Sequence, residues 1–318
     1  MRPAARNHKL DSGVPIVDIV STFDGLREST SGILVPLRAN QGSLSMEYAL
    51  VDGERRTAEV SGQVSACPHC GAPVLGKSGT IRIKHWAHRG RRMCDHWWEP
   101  ETEWHRTSKS QFPAHWREVR HKDEDSGEWH IADVKTLKGW IIELQHSFIK
   151  LDERRARANF YKKLVWVVDG TRRQKDQQKF FNALKAERQA GPNSMIGRLC
   201  KVLPNDCALF RDWSGNLGPV FFDFSERNQP VKPALWCLFP KSSGIGGYIV
   251  EFSRAAFVAL HRDESTQTDH FSELVKNIRN IIVGVRFTSP SSVTNPPRST
   301  ASVLSPAPAL SLLAIVIC

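Results

Sequence analysis

The sequence predicts an α/β fold: a mixed sheet flanked by helices, behind a small β-rich region and a compact segment too polar to hold itself by burial. Three observations lead there. From about residue 99 to 184 the apolar pattern switches between the helical period and the strand period. The run 163–170, KLVWVVDG, is continuously apolar, as suits a strand covered on both faces. Residues 67–96 are rich in Cys, His, Gly and basic side chains with little to bury.

Taken in order, residues 1–62 read as a small β-rich region, with the alternations GILVPLRA and SMEYALVDG and turns at Asn40-Gln41-Gly42 and Asp52-Gly53. Residues 63–98 form the polar segment, and residues 99–190 the best-patterned region. There a helix is expected over 101–116, with Trp104, Phe112 and Trp116 near helical spacing and Glu101 and Glu103 in its first turn. Strands follow at 116–122, 128–134 and 139–147, the last two joined by a hairpin-like link through Gly139. A charged helix is expected over 152–162, opened by Asp152 as N-cap. Residues 191–285 alternate further strands and helices, and the Ser/Pro-rich stretch 286–318 is expected to be disordered.

A formal net charge of +11 favours an anionic partner, most often nucleic acid. The first twenty residues lack a continuous apolar run of the secretory kind. ALSLLAIVIC, the most apolar run, is about half the ~20 residues that a membrane span requires. The expectation is a cytoplasmic protein without a membrane partner, whose seven cysteines are free thiols rather than a disulfide framework.

Cys67-Pro68-His69-Cys70-Gly71 is the most specific short motif. Two thiolates two residues apart can point at one ion, and the glycine permits the turn that brings them together. Two of His85, His88, Cys94 and His96 must complete a tetrahedral Zn²⁺ site, and the pair in HWAH, His85 and His88, stands first in line. A closed four-ligand site is structural and does no chemistry.

The second constellation is acidic. Glu143 and Gln145 share a strand face, and the hairpin can bring Asp133 near Glu143. Glu103 completes a trio if its helix packs across the hairpin. Hard oxygen ligands of this kind suit Mg²⁺ or Mn²⁺, and the chemistry that follows is metal-assisted hydrolysis of a phosphodiester. Lys150, Arg154 and Arg157 recur at spacings of four and three, a candidate stripe for a phosphate backbone, with Lys162, Arg155, Lys163, Arg172, Arg173 and Lys175 nearby.

The ordered series CPHCG, HWAH, ETEWH, IADV, IIELQHS and ERRARANFYKKLVWVVDG resembles the competence protein CoiA-like family over roughly residues 60 to 185. That resemblance implies a PD-(D/E)XK, restriction-endonuclease-like core acting on DNA, with recombination or competence proteins as candidate partners. It implies Glu103 as the helix carboxylate, Asp133 as the hairpin aspartate and Glu143 as the third metal ligand. It sets Gln145 where the wider superfamily carries a lysine, with His105 or Lys109 of the helix as substitutes for that group. The other reading it leaves open is a zinc-containing DNA-binding protein without turnover.

Overall fold

The computed structural model describes residues 26–28, 34–36, 45–81, 83–89, 94–189, 195–196, 199–225, 234–240, 246–264 and 267–284. The turn expected at residues 40–42 and the tail 286–318 lie outside the described residues. In the unit Met1–Gly42, β1 (Leu26–Glu28) and β2 (Leu34–Pro36) pair antiparallel.

Among the described residues of the larger unit, two sheets carry the architecture. The first has six strands: β3 (Ser45–Met46), β4 (Tyr48–Val51), β5 (Glu54–Thr57), β6 (Val64–Ala66), β7 (Pro73–Lys77) and β8 (His85–His88). Their order is β3-β8-β7-β6-β4-β5. The β4–β5 turn forms at Asp52-Gly53 with both residues at positive φ, as a two-residue hairpin requires. The β-rich lead and the Cys/His segment, expected as separate regions, therefore share one sheet.

The second sheet has nine strands. Helix α1 (Glu103–Ser110) and a 3-10 turn at Ala114–Trp116 lead into β9 (Arg117–Lys122), β10 (Trp129–Lys135) and β11 (Ile141–Gln145). Helix α2 (Leu151–Tyr161), β12 (Leu164–Asp169) and α3 (Gln174–Gln189) follow. Then come β13 (Met195–Ile196), β14 (Leu199–Val202), α4 (Ala208–Trp213), β15 (Val220–Asp223), β16 (Ala234–Pro240) and β17 (Gly247–Ser253). The described chain closes with α5 (Arg254–Arg262) and α6 (His270–Gly284). The order β13-β14-β17-β16-β15-β12-β11-β10-β9 carries the sheet across residue 190, so residues 191–285 complete the same sheet instead of standing beside it. The β11–β12 and β12–β15 pairs are parallel, and the other pairs antiparallel, which makes the sheet mixed.

Every residue of β12 is buried, because the sheet is packed on both faces. On one face Val165, Val167, Ile142 and Phe221 meet Phe112, Trp116, Phe257 and Phe271 from the α1, α5 and α6 side. On the other, Trp166, Val168 and Phe222 meet Tyr161, Phe180 and Phe210 of α2, α3 and α4. Two expected helix boundaries change. The helix drawn over 101–116 breaks at Pro113, which has no N–H to continue the ladder. The next helix starts one residue earlier than drawn, so Asp152 lies in its first turn and Lys150 is the N-cap. Among the described residues no helix is long and apolar enough to cross a membrane.

Candidate active site and metal centre

Cys67, Cys70, His88 and Cys94 place one donor atom each within 4.8 Å of one another. The turn is built as the motif implies: Gly71 has φ +71°, and its N–H donates to Cys67 O at 3.0 Å. Cys70 Sγ lies 3.3 Å from His88 Nε2, and Cys67 Sγ 4.0 Å from Cys94 Sγ. The Cys67 thiol is drawn down to about 3, first by its hydrogen bond from Cys94, while that bond and burial push Cys94 up. The two sulfurs are thus within reach of one another, and a divalent ion bound between them would displace their protons. Three sulfurs and one imidazole form a Cys₃His set suited to Zn²⁺.

This corrects the ligand assignment of His85, whose place is taken by Cys94. His85 and His88 are three residues apart on strand β8, so the twofold side-chain period sends them to opposite faces. His85 Nδ1 bonds Ile83 O at 2.8 Å instead. His96 joins Asp95 and His130 in a separate group, where His130 bonds Asp95 and Glu128 and stacks under Trp97.

A cavity of about 70 Å³ is lined by Met46, which touches Cys67 Sγ, by His69 of the same turn, and by Glu101, Lys109, Asp133 and Glu143. Asp133 and Glu143 come from adjacent strands. The β10–β11 ladder pairs Val134 with Ile142 and Lys135 with Ile141. Beyond that the Asp133 carboxylate takes over, accepting the Leu144 N–H at 2.8 Å. Burial raises both acids, and the Asp133 charge adds to the burial of Glu143, which is pushed up to about 8. Its Oε2 accepts from Arg157 Nη1 at 2.7 Å, while its buried Oε1 has no hydrogen-bond partner.

The helix carboxylate in the cavity is Glu101, and Glu103 is exposed. The reason is the cap. Thr102 is the N-cap of α1, so Glu103 begins the helix on its solvent side and Glu101 stays in the incoming chain, turned inward. Glu101 Oε1 lies 2.6 Å from Lys109 Nζ, and Arg106 Nη2 donates to its Oε2 at 2.6 Å. Burial works against its charge, but Lys109 and Arg106 hold it down at about 2. Lys109 also meets Glu118 at 2.8 Å. Burial opposes its charge too, and Glu118 and Glu101 override that and raise it. Glu118, at φ +48°, interrupts the β9–β10 register opposite Asp133 and turns its carboxylate to Lys109 and to the Glu47 N–H.

His105 has no nitrogen to spare for a water. Its Nδ1 accepts the Thr102 N–H at 3.1 Å in a capping box, and its Nε2 donates to Leu144 O at 3.1 Å. Burial lowers it to about 4, so the ring is neutral. Gln145 shares the Glu143 face and donates through Nε2 to Glu99 Oε2 at 2.7 Å; Glu99 also accepts the Ser147 N–H. Its buried Oε1 is unpartnered.

The expected basic stripe faces inward at two of its positions. Arg157 donates to Glu143, to Glu153 and to Trp97 O, and Arg154 stacks over Trp213 at 4.5 Å. Lys150 and Lys162 are exposed at opposite ends of α2. The helical spacing was sound, but the same spacing serves a buried face when its guanidinium groups have carboxylate and aromatic partners. Tyr161 and Trp166 belong to the core. Glu99, Glu101, Glu118 and His69 also border the site; only Glu101, two residues from the expected position, carried a sequence signal.

Among the described residues, clusters of three or more Cys, His, Asp or Glu donors within 4.8 Å are the Cys₃His set, Asp95 with His96 and His130, and Glu47 with Glu101 and Glu118. Asp133 and Glu143 belong to none of them and stand as a pair. Residues 57–96 match the family model described as Competence protein CoiA, N-terminal domain. No curated protein and no solved structure matches the chain.

Proposed function

We propose that this CoiA-like chain is a Mg²⁺-dependent deoxyribonuclease of restriction-endonuclease-like kind, acting on DNA in competence-related processing, with Asp133 and Glu143 as its metal ligands. The observation that carries the reading is the buried Glu143 Oε1, a carboxylate oxygen in a polar cavity with no hydrogen-bond partner. Glu143, raised by burial and then by the Asp133 charge, is short of one cation. Hard oxygen donors fit Mg²⁺, which takes only one or two carboxylates and fills its remaining positions with water and phosphate. When bound, such an ion acidifies a water and offsets charge gathering on the phosphorus oxygens.

The chain's own residues supply the rest. The Leu144 N–H fixes the Asp133 carboxylate. Lys109, held cationic by Glu101 and Glu118, brings to the cavity the positive charge that Gln145 lacks. Met46, against Cys67 Sγ at 3.6 Å, and His69, within the Cys67–Cys70 turn, line the same cavity, so the Cys₃His centre positions part of its wall.

One observation favours a second reading, a DNA-binding protein without turnover. Arg157 already sets a cation against Glu143 at 2.7 Å and can stand in permanently for the metal. The test incubates the protein with linear duplex and single-stranded DNA in Mg²⁺, Mn²⁺ or no added metal, beside Glu143→Gln. Metal-dependent cutting by the wild type that the variant loses supports the nuclease. Binding without cutting, or cutting that the variant retains, removes it.

A further inference from the structure

A second cavity, of about 200 Å³, opens beyond the carboxyl ends of β11 and β12. These two strands are parallel neighbours, so the chain leaves both at the same edge, through residues 146–150 and 170–173. In open α/β sheets that edge is where ligands are taken. Helix α2 begins there with no side-chain cap, and Leu151 of its first turn is on the wall.

Arg154 lines this cavity and is 6% exposed. Its guanidinium carbon lies over the Trp213 ring, 4.5 Å from the centroid, and its Nε and Nη1 have no hydrogen-bond partner. A buried guanidinium with idle donors is costly unless something accepts from them. Arg172 is on the same wall, half-buried, and among the described residues neither arginine makes an ion pair. The acids of the wall are already engaged. Asp169 accepts from His146 Nδ1 at 2.7 Å and from Thr171, Asp176 pairs with Arg173, and Asp212 pairs with Arg173 and Arg211. Asp212 also acts on Arg154 through its field but makes no hydrogen bond to it, so the unmet groups of the wall are the Arg154 donors.

An anion with several oxygens in fork geometry is what a stacked guanidinium and a second arginine receive best. The volume exceeds by several times the ~30 Å³ that a water occupies in the liquid, which leaves room for a group larger than the anion alone. At the mouth stand Phe148, 68% exposed, and Leu151, 40% exposed, an apolar surface on which a flat ring can lie.

We propose that this cavity binds a phosphate monoester carried on a nucleotide, with Arg154 and Arg172 holding the phosphate and Phe148 meeting the base. The site is separate from the acidic cavity and does not depend on its being a nuclease. Both a strand terminus and a free nucleotide present this chemistry.

The test measures binding of fluorescent single-stranded oligonucleotides ending in 5′-phosphate, 3′-phosphate or hydroxyl, with no divalent metal added so that cutting does not enter. Inorganic phosphate and AMP serve as competitors. The full chain is compared with Arg154→Met, with Arg172→Ala and with the exposed-site control Arg155→Met. A phosphate-ended strand should bind about tenfold more tightly than its hydroxyl counterpart. Arg154→Met and Arg172→Ala should each erase or sharply reduce that preference, and Arg155→Met should keep it. Competition by AMP without any end preference, lost in the same two variants, also supports the site and assigns it to free nucleotides. Equal affinity for all three ends with no competition by phosphate or AMP overturns it, as does a preference that Arg172→Ala and a folded Arg154→Met both retain.

Discussion

Arg157 Nη1 lies 2.7 Å from Glu143 Oε2, both side chains under a tenth exposed, and this pair joins the charged helix α2 to the acidic face of β11. A buried pair is weak evidence for stability as a whole, but removing one partner strands the other charge. Arg157→Met should therefore lower the unfolding free energy by about 3–5 kcal/mol above pH 8, where Glu143 is charged, and by less at neutral pH. Adding Glu143→Gln to it should restore a good part of that loss, because the remaining buried group is then neutral. Urea denaturation of the two single variants and the double variant measures the coupling, and strict additivity would dissolve the pair as an energetic unit.

Acid should weaken the fold through its buried imidazoles. His105 and His261 are each pushed by burial from 6.5 to about 4. A lowered histidine means that the unfolded chain binds more protons between those values, so stability is full above pH 6.5 and falls as pH drops towards 4. Each contributes a slope worth about 3 kcal/mol over that window. His261→Leu, between the rings of Phe257 and Phe271 and away from the site, should remove one of the two shares. Glu143 acts in the opposite sense: its folded value, about 8 against 4.5, makes its share present at low pH and lost as pH rises to 8. Denaturation curves at pH 4, 5.5, 7 and 8.5 for wild type, His261→Leu and Glu143→Gln separate the two signs.

The metal centre makes a prediction that discriminates between neighbouring residues. Purified protein should carry about one zinc per chain. Cys94→Ser should lose most of it, and His85→Ala should retain it, because His85 faces away towards Ile83 O. Elemental analysis after dialysis decides, and full zinc in Cys94→Ser would return the fourth position to another ligand.

Much of the scaffold is legible from pattern alone, since β9 to β12 differ from their expected spans by no more than two residues at either end. Period-two alternation and one continuous apolar run are backbone-level signals that tertiary packing did not override. Partner choice was not legible. Lys150, Arg154 and Arg157 have the spacing of a helix face whichever way that face points, and only the positions of Glu143 and Trp213, 14 residues before and 56 after Arg157, turn it inward. The knuckle shows the same limit: two histidines three apart look like a pair on a helix and diverge on a strand. Continuity of the sheet across residue 190 depends on the parallel pairing of β12 with β15, a contact between segments more than fifty residues apart.

Within the ETEWH segment the carboxylate that lines the cavity is Glu101. Thr102 caps α1, Glu103 is exposed in its first turn, and Glu101 lies inside against Lys109 and Arg106. Under the proposed nuclease reading, Glu103→Ala should leave metal-dependent cutting within about twofold, and it should change stability by only about 0.3–1 kcal/mol, the worth of an acid near a helix N-terminus. Glu101→Gln should act on Lys109, whose ammonium would keep Glu118 alone as a charged partner. Its repositioning should lower the cleavage rate on the order of 10²-fold, the scale of losing one preorganised cationic donor. Single-turnover rates at saturating Mg²⁺, with melting curves to confirm folding, compare the two. If Glu103→Ala abolishes cutting while Glu101→Gln spares it, the helix carboxylate belongs to Glu103, and α1 must rotate or unwind by a turn when DNA binds.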